Sequence, residues 1–182
     1  MKFTVHSVGL FCGAQSGHTP LFKETAFEVG RVFGQKGIRL VYGGSKDGLM
    51  GAAADGALSC GGEVLGVLPE KLAHREVAHR GIQRLLTVDS MALRKDLLIR
   101  ESDLFMVLPG GLGTLDELFE VLTANTLGFI SKPVIILNTS NFYSGLIDWL
   151  EKAAAAGLSK SPKDLFHVVS EVSALSDVLH ST

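Results

Sequence analysis

The sequence predicts an α/β protein with a doubly wound, mainly parallel sheet (Rossmann-like) and helices on both faces. Two observations support this fold class: short apolar segments alternate with helical patterns along the chain, and several of those segments are apolar at every position. VLGVL (64–68) and LFMVL (104–108) are examples, and such strands belong to the interior of a parallel sheet. No internal repeat or linker divides the 182 residues, so we expect one nucleotide-binding domain spanning 1–182.

The element order follows from apolar periodicity and from the glycines that interrupt it. An apolar stretch opens the chain as a strand, Gly37 ends the first helix, and Gly61 and Gly62 end the second. The predicted strands are 5–11, 38–42, 63–68, 84–88, 104–108, 134–137 and 167–169. The predicted helices are 20–36, 49–58, 90–101, 114–127, 142–156 and 171–180. Segment 69–83 is polar and ambiguous, and the last helix packs either on the domain or on a partner chain.

The composition excludes several classes of binding partner. A net charge of -2 and a pI near 6.3 leave no basic field to attract nucleic acid, so we expect a small-molecule ligand. No apolar run approaches the roughly 18 residues of a membrane span. Cys12 and Cys60 lack CxxC spacing, which favours a reducing compartment, the cytoplasm, over a zinc site. His74 and His79 have no second pair at ligand spacing, so we interpret them as surface or loop histidines and expect no metal.

Three glycine-bearing turns, at 12–17, 42–51 and 109–114, follow predicted strands. Ligands of doubly wound sheets bind beyond the carboxyl ends of the strands, where these turns lie. In the third turn, three residues without Cβ precede a helix whose free N–H groups attract an anion. None of the turns has the dinucleotide or the Walker A spacing, so a mononucleotide or a sugar phosphate fits better than NAD or a nucleoside triphosphate.

Two charged residues near these turns have alternative interpretations. Thr114 and Glu117 have the T-x-x-E spacing of a capping box, in which Thr114 is the N-cap, but Glu117 also lies beside any anion bound at the turn. Arg94 shares a helical face with Met91 and Leu98. It is either an exposed, snorkelling arginine or a residue that binds the ligand.

The segments PGGLGTLDE (109–117), VYGGSKDGLMG (41–51) and SMALRK (90–95) occur in the order typical of one family. From about Val8 to Leu158 the chain resembles the LOG (Lonely Guy) family of cytokinin riboside 5'-monophosphate phosphoribohydrolases. The resemblance implies an enzyme, commonly dimeric in this family, that cleaves the N-glycosidic bond of N6-modified AMP and gives free base and ribose 5-phosphate; we expect a homodimer that needs no cofactor. Some members were labelled lysine decarboxylases, but the sequence has no identifiable pyridoxal site.

The resemblance also implies roles for individual residues. Arg94 and Glu117 match the catalytic arginine and glutamate of the family. The residues implied to bind phosphate or nucleotide are Gly43, Gly44, Ser45, Glu76, Met91, Lys95, Gly110, Gly111, Leu112, Gly113, Thr114 and Thr123. Two positions depart from the family pattern: Ala92 replaces a common histidine, which either alters base contacts or leaves a roomier site, and Ser45 replaces a common glycine.

The chemistry can be argued from the residue types. Breaking a ribosyl C–N bond builds positive charge on the sugar, so a carboxylate such as Glu117 would stabilise that charge and orient the attacking water. Arg94 would bind a phosphate or hydroxyl and keep Glu117 ionised. Asp116 or water would protonate the departing base. Two alternatives remain: a broader purine nucleoside 5'-monophosphate nucleosidase, and a non-catalytic module that binds AMP-like ligands.

Overall fold

The computed structural model describes residues 2–72 and 78–180, and it confirms the doubly wound α/β fold. Seven parallel strands form one sheet in the order β5-β4-β3-β2-β6-β7-β8, and β1 pairs with β9 in a small second sheet. The strands are β1 Phe3–Thr4, β2 Ser7–Phe11, β3 Arg39–Tyr42, β4 Val64–Pro69, β5 Arg84–Val88, β6 Leu104–Val107, β7 Val134–Leu137, β8 His167–Val169 and β9 Leu179–His180. The helices are α1 Pro20–Gln35, α2 Gly48–Ser59, α3 Met91–Arg100, α4 Leu112–Thr126, α5 Ser144–Ala155, α6 Pro162–Leu165 and α7 Leu175–Val178.

The large sheet is buried on both faces, as its apolar strands require. Successive residues of a strand point to opposite faces, so Leu10 joins the core that includes α1 and α2, whereas Phe11 joins the core that includes α4 and α5. Each fully buried side chain of this size contributes about 1.5–3 kcal/mol relative to exposure. The two cores therefore hold helices against both faces and fix the positions of the turns between strands and helices.

The strand order reverses beside β2. The chain runs outward from β2 through β3, β4 and β5, and then returns to the other side of β2 with β6, β7 and β8. A crevice opens at such a switch point, between the carboxyl ends of the two central strands. Here the turns that follow β2 and β6 meet, since the N–H of Gly13 donates to the carbonyl of Pro109 at 3.0 Å.

The predicted helix 171–180 is wrong. Only Leu175–Val178 is α-helical, and the chain then extends into β9, where Leu179 pairs with Phe3 and the N–H of Val5 donates to His180 at 2.9 Å. Leu175 and Leu179 are fully buried in the core of the same domain. Residues 175–180 therefore pack on their own domain, because pairing with β1 satisfies the backbone of β9 and Leu175 and Leu179 enter the core.

Smaller differences concern element ends. The predicted first strand, 5–11, begins at Ser7, and α4 begins at Leu112 rather than at residue 114. In the described part of the chain, no helix is both long enough and apolar enough to cross a membrane.

Candidate functional site

A cavity of about 440 Å³ lies at the switch point of the sheet. Its volume falls within the range of roughly 300–1,000 Å³ that is usual for small-molecule sites. The residues that line it are Cys12, Gly13, Ala14, Gln15, Ser16, Gly17, Phe22, Leu49, Met50, Met91, Arg94, Pro109, Gly110, Gly111, Gly113, Thr114, Glu117 and Phe142. Seven of the residues predicted for the site are thus brought together: Met91, Arg94, Gly110, Gly111, Gly113, Thr114 and Glu117.

The glycine turn after β6 ends at the amino terminus of α4. A Cβ on Gly110 would lie 2.1 Å from Thr114 Oγ1, so only glycine fits there. At Gly111 and Gly113, by contrast, a Cβ would meet no atom of the described residues within 4 Å. Open space beside free N–H groups at a helix start is the arrangement that binds a phosphate.

The capping-box interpretation of Thr114 and Glu117 is wrong. Gly111 is the N-cap of α4, which makes Thr114 the third helical residue, and the N-cap position has no side-chain capping bond. Thr114 packs instead against Gly110, and Glu117 lies one turn further along the helix. The first N–H groups of α4 are consequently left for a ligand or for water.

Arg94 and Glu117 form a buried ion pair. Arg94 Nη1 lies 3.4 Å from Glu117 Oε1, and the two residues are only 6% and 9% exposed. Arg94 Nε also donates to the carbonyl of Val67 at 3.2 Å, and Nη2 donates to the carbonyl of Gly43 at 3.4 Å. The interpretation of Arg94 as an exposed, snorkelling residue is therefore wrong, because two backbone carbonyls and a carboxylate hold its planar head inside the protein.

The residue at which α3 begins determines which way Arg94 points. Ser90 is the N-cap of this helix, and its Oγ accepts the N–H of Leu93 at 3.2 Å. Arg94 follows one turn later and faces inward, while Lys95 points to α4, where its Nζ lies 3.0 Å from Asp116 Oδ2 and 2.5 Å from Glu120 Oε2. Adjacent helical residues point in different directions, so only one of these two cations faces the cavity.

Cys12 lies at the cavity wall as a neutral thiol. Burial raises the pKa of Cys12 far above its ordinary value, and the negative charge of Glu117 raises it further, while Arg94 partly opposes the shift. A thiol must ionise to act as a nucleophile. We therefore interpret Cys12 as a residue that packs at the wall of the site.

The other predicted site residues lie outside the cavity wall. Gly43, Gly44 and Ser45 lie behind Arg94, and the fully buried Ser45 Oγ accepts the N–H of Asp47 at 3.1 Å. Leu112 and Thr123 face a different surface of α4, next to Asp116 and Glu120. Glu76 and His74 lie outside the described residues.

His79 lies in a loop, which is one of the two expected positions, but it is buried and not at the surface. It is 8% exposed, and its Nε2 lies 3.1 Å from Asp55 Oδ1. Within residues 2–72 and 78–180, no group of three or more His, Cys, Asp or Glu side chains is arranged to hold a metal ion.

Sequence reasoning missed the apolar wall of the cavity, which includes Phe22 and Phe142. The two rings meet edge to face with centroids 5.7 Å apart. Phe142 follows two residues with positive φ, and this turn is tied to the site because Tyr143 Oη donates to the carbonyl of Leu108 at 2.8 Å. The strand order would have indicated this wall, since β7 lies next to β6.

A parallel sheet with a ligand cavity at its switch point and a glycine turn leading into a helix defines a Rossmann-type nucleotide-binding protein. Residues 50–179 match the model of a family described as "Possible lysine decarboxylase". A cytokinin riboside 5'-monophosphate phosphoribohydrolase of Rhodococcoides fascians is 44% identical over 155 residues, which cover 85% of this chain and 78% of that protein. An Arabidopsis thaliana protein of the same name is 39% identical over 160 residues, covering 88% and 75%.

The solved structures agree with this fold. The molybdenum cofactor binding protein from Rippkaea orientalis has a TM-score of 0.70 and 25% identity, covering 94% of this chain and 93% of that one. With the sequence relatives, the comparison shows that the chain belongs to the LOG family, whose members include the cytokinin riboside 5'-monophosphate phosphoribohydrolases.

Proposed function

We propose that this protein hydrolyses the N-glycosidic bond of AMP or of N6-modified AMP, giving the free base and ribose 5-phosphate. The observation that carries the proposal is the buried Arg94–Glu117 pair, which lines the same cavity as the glycine turn at the start of α4. A binding module needs only the glycine turn. Removing a carboxylate and a guanidinium from water costs free energy. A catalytic role would explain why the protein nevertheless buries this pair.

In the proposed reaction, the 5'-phosphate binds the N–H groups at Gly111 and Gly113, and the ribose lies beside Glu117. The oxygen of a water molecule bonds to C1' while the bond from C1' to the base nitrogen breaks, and the base leaves with the electron pair. Glu117 accepts a proton from the water and stabilises the positive charge that develops on the ribose. Such assistance is worth on the order of 10²–10⁴ in rate.

Water is the better of the two candidates for protonating the departing base. Asp116 is exposed, lies on the other side of α4 and binds Lys95 at 3.0 Å. A carboxyl group in that position would need to leave its partner and cross the helix to reach the base. Solvent entering the cavity reaches the base directly.

The reaction can be tested by incubating the protein with AMP, N6-isopentenyl-AMP, GMP and adenosine and measuring free base and ribose 5-phosphate. We expect base release from the first two and none from adenosine, which lacks the phosphate. Comparable release from GMP would favour the broader purine nucleotide nucleosidase. Tight binding of AMP without any base release would overturn the enzymatic proposal in favour of a binding module.

We also propose that the protein is a homodimer that associates through the α4 surface, defined by Leu112, Leu115, Phe119, Leu127 and Phe129. Leu112, Leu127 and Phe129 are 88%, 65% and 79% exposed. Large neighbouring apolar side chains at a surface indicate an interaction site, and a two-fold axis would let one such surface cover its own copy.

A dimer of this kind would bring Thr123 close to the substrate bound by the partner chain. The resemblance implies that Thr123 contacts substrate, yet in its own chain it faces the α4 surface and not the cavity. Under the proposal, Thr123 contacts the substrate that is bound to the partner.

A further inference from the structure

The pair formed by buried His79 and exposed Asp55 has no part in the proposed chemistry, yet it is connected to the residues that hold Arg94. His79 Nε2 lies 3.1 Å from Asp55 Oδ1 on α2, and Nδ1 accepts the N–H of Gly81 at 3.2 Å. Because Nδ1 is an acceptor, the ring proton of the neutral imidazole lies on Nε2 and is donated to Asp55. The side chain therefore ties the chain before β5 to α2.

The backbone of the same segment holds the turn after β3. The N–H of His79 donates to the carbonyl of Gly44 at 2.9 Å, and Ala78 forms an antiparallel bridge with Ser45. Gly44 has a φ of +80°, so this turn adopts a conformation that other residues rarely take. The contacts of His79 and Ala78 therefore hold the 43–45 turn from outside.

The 43–45 turn also contacts Arg94. Gly43, the residue before Gly44, accepts a hydrogen bond from Arg94 Nη2 at 3.4 Å, and a Cβ on Gly43 would lie 2.0 Å from that nitrogen. A small movement of the turn would therefore move the guanidinium. Arg94 Nη1 lies 3.4 Å from Glu117, so such a movement would also change the position of the carboxylate.

We propose that His79 and Asp55 are positioning residues that hold the 43–45 turn, and through it the guanidinium of Arg94, against Glu117. The inference rests on the proposed function for its kinetic consequence. Misplacing a reacting group by about 1 Å can cost on the order of 100-fold in rate, even when the altered residue is remote from the chemistry. The pair should affect turnover more than nucleotide binding, because the glycine turn at the start of α4 does not depend on it.

Variants of His79 separate the two ring nitrogens. His79→Gln retains a donor near the position of Nε2, whereas His79→Asn retains an acceptor near the position of Nδ1. We expect kcat to fall roughly 10- to 100-fold in His79→Ala, His79→Asn and Asp55→Ala, with KM for AMP changed by less than about threefold. His79→Gln should restore most of the activity, because it keeps the contact with Asp55.

Gln83→Ala is the matched control. Gln83 also joins loop segments through two hydrogen bonds, from the N–H of Val64 at 2.9 Å and to the carbonyl of Gly62 at 3.1 Å, but at the opposite end of β4. We expect it to lower the melting temperature while leaving kcat unchanged. An equal fall of kcat in this control, or normal kcat in His79→Ala, would overturn the positioning role.

A second measurement does not depend on turnover. The rate at which the Arg94 Nε–H exchanges with solvent can be followed by NMR, with the signal assigned by its loss in Arg94→Lys. We expect exchange to be at least about 10-fold faster in His79→Ala than in the unchanged protein or in Gln83→Ala. Absence of base release from the unchanged protein would refute the proposed function alone, whereas unchanged exchange in His79→Ala would refute the positioning role.

Discussion

Arg94 combines three contacts that no other side chain could make together. Its planar group donates to two backbone carbonyls, of Val67 and Gly43, while it faces the carboxylate of Glu117. A lysine ammonium carries the same charge but is a compact point charge on a flexible stem. The shape of the guanidinium is therefore as important to the site as its charge.

Arg94→Lys tests this statement about shape. We expect kcat/KM for AMP to fall by about 100-fold, because the ammonium cannot reach both carbonyls and the carboxylate. Steady-state kinetics and a thermal melt, carried out together, check the prediction. Activity within a fewfold of normal in a folded variant would show that charge alone is sufficient.

Gly43→Ala tests the same position without altering a charge. The new Cβ would lie 2.0 Å from Arg94 Nη2 and 2.7 Å from Met50 Sδ, so the guanidinium must move. We expect a loss of kcat of about 10- to 100-fold. Gly145→Ala is the control, since a Cβ there meets no atom of the described residues within 4 Å. Equal activity of the two variants would contradict the close packing of the turn on Arg94.

Among the elements, those with strong local patterns could be predicted from the sequence. Strands β5, β7 and β8 have the predicted bounds, because their apolar runs end at clear breaks. The end of the chain could not be predicted, since β9 exists only through pairing with β1 at the other end of the sequence. The sequence pattern of a short segment gives no information on a contact between distant residues. In residues 171–180, tertiary packing overrides helix propensity.

In the candidate site, too, some residues could be predicted from the sequence and others could not. The glycine turn could be predicted from the residue types that follow the apolar run of β6, whereas the roles of Arg94 and Glu117 came from a family resemblance. Phe142 was missed because its place on the cavity wall depends on two positive-φ residues and on the neighbouring position of β7 and β6. These are properties of the assembled sheet and not of any short segment.

The start of β2 is held by Asp103, which precedes β6. Burial opposes ionisation, but hydrogen bonds of 3.0 Å from the N–H groups of His6 and Ser7 and from Ser7 Oγ favour it more, so the pKa of Asp103 is below its ordinary value. A carboxylate with a lowered pKa stabilises the folded state above the unfolded pKa of about 3.9. That stabilisation disappears as the pH falls through the lower, folded-state pKa.

Asp103→Asn should therefore cost stability at neutral pH and almost none in acid. Because Asp103 is exposed to solvent, screening limits the expected loss at pH 7 to about 0.5–1 kcal/mol. Urea unfolding of both proteins from pH 7 down to pH 3 checks the prediction, with Asp148→Asn on α5 as the control. A difference between the Asp103 variant and the unchanged protein that grows in acid would contradict the sign.

For the whole molecule, the α4 surface is the feature that a single chain leaves unexplained. Phe129→Asp would place a charge in the proposed interface, and we expect the dimer to dissociate at least about 100-fold more readily. Sedimentation velocity over a range of concentrations checks this, with Leu158→Asp as a control because Leu158 is 85% exposed elsewhere. A monomeric unchanged protein would contradict the proposed dimer.

The architecture of the whole molecule is consistent with the proposal that few side chains carry out the reaction. Two cores hold the turns after β2 and β6 together, and the cavity is lined by these two glycine-bearing turns, the Arg94–Glu117 pair and apolar side chains. Under the proposed function, the fold would position the nucleotide, and Glu117 would supply the charge at the anomeric carbon.

The most direct measurement is therefore base release from N6-isopentenyl-AMP by Glu117→Gln. The amide keeps the size of the side chain and removes its negative charge, so the variant should remain folded, with a lower melting temperature because buried Arg94 loses its charged partner, while turnover falls by about 10²–10⁴. A folded Glu117→Gln variant that releases base at the normal rate would contradict the account.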